Sequence, residues 1–346
     1  MNRKAVALGL ALWASGACNW VSLAANSLTY RTTARGEAAN LVTRGSVVYA
    51  TLAEDGLAVI DASTGDRLAT LVAPQGGSID DIASAGDLLF ALDARPPGHL
   101  SVYSLADPIA PRLLGPPREV PVGPFSGVSA ANGLVVVSGG TSQLTLWRYD
   151  ARGSVTGPVA TADFGRGQPD VLLTDDGVLY VSTHYHGPYF GLDVARFDMA
   201  TSRIVPVATL PLARAGFTTG GARPANFPIE SALLGRDTVL VASARGVDVI
   251  DVRVPGSPTL LETIEVDGPA VNVDVAGAAA AVTIAGEAPA LLWLDFTTQP
   301  LGRQRLALPV GTFPAGVALG PARAAVAAGK AGVLLFTQGN STIGRR

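Results

Sequence analysis

Gly246-Val-Asp-Val-Ile-Asp251 is followed by Pro255-Gly-Ser-Pro258 and then by Thr259-Leu-Leu261. Its positions alternate with the period of two that sends successive side chains to opposite faces of a strand. The same pattern recurs in Gly56-Leu-Ala-Val-Ile-Asp61, His99-Leu-Ser-Val-Tyr-Ser104, Gln143-Leu-Thr-Leu-Trp-Arg148, Ala290-Leu-Leu-Trp-Leu-Asp295 and Gly332-Val-Leu-Leu-Phe-Thr337. Before these copies run short apolar stretches such as Val47-Val-Tyr-Ala-Thr51, Leu88-Leu-Phe-Ala-Leu92, Leu134-Val-Val-Val-Ser138 and Val239-Leu-Val-Ala-Ser243. Unbroken β-rich runs of this length read as strands buried on both faces.

A further short strand precedes each apolar run, beginning near Glu37, Ser78, Ser126, Asp170, Ile229, Val271 and Ala315, and a more polar fourth strand follows each signature strand. The starts are 41 to 48 residues apart, except for 59 across the unit that contains Ala213 to Pro228. That fourth unit also has the least regular signature strand, Phe190-Gly-Leu-Asp-Val-Ala-Arg196. A repeat of roughly 40 to 50 residues with four strands is the period of a propeller blade. A lone blade cannot bury both faces, so such units pack radially and shield one another. The expectation is an all-β, seven-bladed β-propeller of four-stranded antiparallel blades over residues 26–346. Its last unit lacks an outer strand, and Ser27-Leu-Thr-Tyr-Arg-Thr-Thr33, in which Leu28, Tyr30 and Thr32 alternate, is expected to supply it and close the ring. A monomer is expected.

Composition agrees with this reading. Hydrophobic residues are 48% and charged residues 15% of the 346, enough apolar surface for a large core. Forty glycines and 24 prolines interrupt elements often, which disfavours long helices. The net charge of −3, with no long run of either sign, argues against nucleic-acid binding. A single cysteine, Cys18, excludes a disulfide framework.

Residues 1–25 have the layout of a signal peptide: a basic start at Arg3-Lys4, an apolar run from Ala5 to Ala14, then small residues. Two processing routes fit. Cleavage after Ala24 or Ala25 would release a soluble chain, whereas cleavage before Cys18, within Ser15-Gly-Ala-Cys18, would give a lipoprotein anchored through that cysteine. Either route exports the chain, to the periplasm or to the outer membrane and cell surface of a bacterium, and lipidation is the only membrane contact expected.

Gly246-Val-Asp-Val-Ile-Asp-Val-Arg-Val-Pro-Gly-Ser-Pro-Thr-Leu-Leu261 resembles an LVIVD-type β-propeller repeat, and Leu100-Ser-Val-Tyr-Ser-Leu-Ala-Asp-Pro-Ile-Ala-Pro-Arg-Leu-Leu-Gly115 is similar to it. Gly56 to Leu71 matches less fully, and the other units share only the apolar pattern. The resemblance implies an exported bacterial propeller and no particular reaction, since propellers host binding, scaffolding and catalysis alike.

In such a fold the loops between second and third strands share a face with the blade junctions. That face gathers Asp93, Arg95, His99, His184, Tyr185, His186, Arg223, Arg245, Phe227, Phe313 and Lys330. Of these, His184, Tyr185, His186, Arg223, Phe227, Arg245 and Phe313 are the candidate ligand-binding residues, because aromatic and arginine side chains dominate interface energetics. The function expected is a binding or scaffold module for a protein or another extracytoplasmic ligand, with no catalytic residue and no cofactor. His184 and His186 lack an identified third ligand for a transition metal. The alternative is a calcium-dependent, lactonase-like hydrolase whose metal sits at the mouth of the central channel on Asp170, Glu230 and Asn272, oxygen ligands of the kind calcium prefers.

Overall fold

The computed structural model describes residues 37–53, 55–123, 126–139, 142–165, 168–184, 191–212, 231–243, 245–320 and 323–337. These residues contain strands and turns and no helix. Blade 1 consists of Leu41–Arg44, Val47–Thr51, Leu57–Asp61 and Arg67–Leu71. Blade 2 consists of Asp81–Ala85, Leu88–Asp93 and Gly98–Ser104, with an outer strand split into Arg112–Leu113 and Arg118–Val120. The split falls at Pro116-Pro117, which have no amide to give to the ladder. Blade 3 is Gly127–Ala131, Leu134–Gly139, Gln143–Tyr149 and Val155–Asp163, and blade 4 is Gln168–Leu173, Val178–His184, Gly191–Asp198 and Arg203–Pro211. Blade 5 is Ser231–Leu234, Thr238–Ser243, Gly246–Asp251 and Thr259–Glu265, and blade 6 is Ala270–Ala276, Ala279–Ile284, Ala290–Asp295 and Gly302–Ala307. Blade 7 shows three strands among the described residues, Gly316–Gly320, Arg323–Ala327 and Val333–Thr337.

Every sheet is an antiparallel meander in chain order, and the inner strands contact one another in a closed circuit from blade 1 to blade 7 and back. Thr43, in the inner strand of blade 1, donates its hydroxyl to the Leu319 carbonyl of blade 7 at 2.7 Å and closes that circuit. One apolar cluster fills each of the seven blade junctions. Alternation explains the division: in blade 1, Val48, Ala50 and Ile60 pack toward blade 7, while Val47, Tyr49 and Val59 pack toward blade 2. Fully buried side chains such as Leu57, Leu89 and Ile60 contribute roughly 1.5–3 kcal/mol each. The seam between blades 7 and 1 is the one built largely of alanine, with Ala50, Ala58, Ala318, Ala325 and Ala327 in its cluster.

The aspartate at or just after the end of the signature strand has a local task. Asp61, Asp150, Asp251 and Asp295 each accept the amide two residues on, at 2.6, 2.9, 3.0 and 2.8 Å, and so start the turn to the outer strand. Asp198 does the same for Ala200 at 2.9 Å.

Residues 1–36, which hold the expected signal peptide, Cys18 and the closing strand Ser27 to Thr33, lie outside the described residues. What the structure does show is where the chain emerges. Ala38 pairs with Gly329 of blade 7 through both backbone bonds, at 3.0 and 3.1 Å. Ile79, at the corresponding place before blade 2, pairs with Ala53 of blade 1. The chain therefore enters blade 1 from beside blade 7 in the manner in which it enters blade 2 from blade 1.

Candidate functional site

Strand direction sorts the loops into two faces. On one lie the tight turns between first and second strands, and these are cross-tied between blades: Asn132 donates its side-chain amide to the Asp175 carbonyl at 2.8 Å, and Arg44 pairs with Asp87. On the other lie the blade junctions and the loops between second and third strands. Arg245 stands there at the start of the signature strand of blade 5 and pairs with Glu265 at 2.7 Å, both well exposed. Glu287 and Lys330 are exposed on the equivalent loops of blades 6 and 7.

Phe313, in the junction leading to blade 7, is half-buried beside Gly329. A β-carbon on Gly329 would lie 3.5 Å from the Phe313 carbonyl oxygen, and its φ of +55° is one that glycine adopts without strain. The backbone of His184 closes the second strand of blade 4, opposite Gln168 in the inner strand, which sets it at the same face as Arg245 and Phe313. Its side chain, together with Tyr185, His186, Arg223, Phe227 and Glu230, lies outside the described residues.

The inner strands are joined by side chains in place of a backbone ladder. Asp81 of blade 2 accepts the Val128 amide of blade 3 at 2.6 Å, Asp170 of blade 4 accepts the Ser231 amide of blade 5 at 3.1 Å, and Asp274 of blade 6 accepts the Leu319 amide of blade 7 at 2.7 Å. Neutral groups serve elsewhere. Asn40 donates to the Asp80 carbonyl at 3.0 Å, the Ser129 hydroxyl accepts the Leu173 amide at 3.1 Å, and the Asn272 side-chain oxygen accepts the Val317 amide at 3.3 Å. Burial pushes the carboxyls of Asp81 and Asp170 up to about 7 and that of Asp274 up to about 6, against the amide bonds that pull them down. Asp170 and Asp80 raise Asp81 further by like-charge repulsion.

Asp170 and Asn272, two of the three expected calcium ligands, thus each hold a neighbouring blade through an oxygen atom. Among the described residues, no group of three or more His, Cys, Asp and Glu is assembled as a metal site. Asp274 is not among the site residues expected from the sequence, although its spacing of two from Asn272 is the signal that it shares a face and a task with it.

No protein-family model matches the sequence, and no curated protein is significantly similar to it. Among solved structures, the WD40 repeats of RRP9 superpose with a TM-score of 0.63 at 10% identity, covering 92% of this chain and 99% of that one. U3-55K gives a TM-score of 0.61 at 10% identity over 91% of this chain and all of that one. The computationally designed Ika8 protein gives 0.54 at 11% identity, over 87% of this chain and 83% of that one. At such identities the likeness concerns the fold, which is a β-propeller.

Proposed function

We propose that the protein is an exported binding or scaffold module, of the LVIVD-type repeat class, whose loop-rich face takes a protein or another extracytoplasmic ligand. The observation that carries this reading is the division of labour among polar groups. Acidic and amide side chains on the inner strands of blades 1, 2, 4 and 6 hold the ring together, while Arg245, Glu265, Glu287 and Lys330 stand exposed on the loop face. A rigid scaffold carrying exposed loop chemistry is the usual arrangement of a recognition surface. The basic start and apolar run before Cys18 support export.

Paired substitutions test the reading. Tyr185→Ala with Phe227→Ala is expected to weaken capture of a partner from the source cell's extracytoplasmic fraction more than tenfold while the fold survives. Asp175→Ala with Asn132→Ala, on the cross-tied face, should leave capture unchanged. Equal losses from the two pairs would reject the loop face as the site.

A further inference from the structure

Where blades 1 and 2 meet on the loop face, the junction segment folds over the end of the blade 2 hairpin and leaves a small cavity with room for about one water-sized group. Its floor includes Ile79 and Ala91, and its polar wall is Ser78, Asp93, His99 and Ser101. The hairpin brings the last three together: Asp93 is opposite His99 in the register, and Ser101, two residues on, projects to the same side as His99. Gly77 allows the junction to close over them. A β-carbon there would lie 1.7 Å from Asp93 Oδ2 and 2.5 Å from Arg95 Nη2.

The wall is rich in unused acceptors. Asp93 is 8% and Ser101 5% exposed. Asp93 Oδ1 takes the Arg95 amide at 3.1 Å and its Nε at a long 3.4 Å. Among the described residues, Asp93 Oδ2, the Ser101 hydroxyl and the His99 ring have no hydrogen-bond partner. The Ser78 hydroxyl is turned to the Asp80 carboxylate at 2.8 Å, and that carboxylate also holds the Ala94 amide at 2.7 Å. Asp93 is thus paired with one guanidinium, which is itself half exposed, and the Asp80 carboxylate stands behind Ser78. A small site walled by acceptors, one of them a carboxylate oxygen, over an apolar floor, suits a compact group that carries several N–H donors on an aliphatic stem. A primary ammonium has three donors and roughly the size of a water molecule, whereas a guanidinium or a quaternary ammonium is too bulky for the space.

We propose that this cavity is a receptor for a primary ammonium group, presented by a lysine side chain of the partner that the loop face takes. The lysine source rests on the reading of that face as a binding surface, while the ammonium site itself does not. The test titrates Nα-acetyl-lysine-N-methylamide into the protein and follows the His99 ring signals by NMR, assigned with His99→Gln. A saturable shift is expected, absent with the norleucine analogue and at least tenfold weaker with the arginine analogue. Asp93→Asn should weaken binding at least tenfold. Ser101→Ala, which removes less, should weaken it severalfold and remains informative if Asp93→Asn does not fold. Butylammonium is the arm for a free amine: weaker binding than the lysine amide supports a side-chain source, and tighter binding overturns that source. Absence of a shift, an equal shift with norleucine, or wild-type affinity in both variants would overturn the ammonium site. Loop-face capture that survives such a result would leave the binding-module reading standing and remove only this one.

Discussion

Asp81, the first residue of the inner strand of blade 2, accepts the amide of Val128 in blade 3 at 2.6 Å and the amide of Ile82 at 2.8 Å. One carboxylate thus joins two blades where no backbone ladder runs between them. Asp81→Ala leaves two amides without their acceptor, which costs about 1–3 kcal/mol for a buried unsatisfied group. Urea unfolding of the mature protein should show a lower midpoint with an unchanged slope. An unchanged midpoint would show that the bond contributes nothing.

The same carboxyls set an unusual pH dependence. Their folded values, about 7 for Asp81 and Asp170 and about 6 for Asp274, lie above the ordinary 3.8. The folded state therefore binds more protons than the unfolded chain between these values. This contribution to stability is fully present below about pH 4 and is lost as pH rises to about 7. Exposed turn carboxyls act oppositely: hydrogen bonds from Ser63 hold Asp61 below its ordinary value, and those from Thr201 and Ala200 do the same for Asp198, so their contribution fades only below about pH 4. Thermal unfolding should thus occur at higher temperature at pH 5 than at pH 7.5, and Asp170→Asn should shrink the difference. A midpoint that falls from pH 7.5 to pH 5 contradicts the assignment.

Much of the fold is legible in the sequence because the repeat is written in local terms. The expected inner-strand starts at Ser78, Ser126, Asp170 and Ala315 lie within three residues of the observed Asp81, Gly127, Gln168 and Gly316. Alternation and apolar runs report burial strand by strand, and the Asp-led turns report where a signature strand stops. The inter-blade bonds are not legible in that way. Asp274 meets Leu319 across 45 residues of chain, and nothing near either residue announces the other. The loop-face residues Asp93 and His99 are visible as unusual residues on one loop, but their cavity depends on Gly77 from the preceding junction.

Closure of the ring by the proposed strand Ser27 to Thr33 predicts a stability effect. Val333–Thr337 is the outermost described strand of blade 7, and the Ala38–Gly329 pairing brings the N-terminal chain to that blade. Deleting 27–33 should cost about 2–6 kcal/mol if about four residues each lose a bond of roughly 0.5–1.5 kcal/mol. Thermal unfolding indistinguishable from that of the intact mature chain rejects the closure.

The proposed export has its own test in Cys18→Ser. If the chain is lipidated, the substitution should move it from the membrane to the soluble extracytoplasmic fraction. If it is simply secreted, processing should be unaffected. An unprocessed chain retained in the cytoplasm contradicts both routes.

The most direct test of the loop face is site-specific photo-crosslinking in the source cell. A benzophenone side chain is placed in turn at Arg245, Glu287 and Lys330, and in parallel at Asn132 and Asp175, and adducts are identified by mass spectrometry. A binding module of the kind proposed gives one recurrent adduct from the first three positions and none from the last two. Adducts formed equally from both faces, or from Asn132 and Asp175 alone, would contradict it.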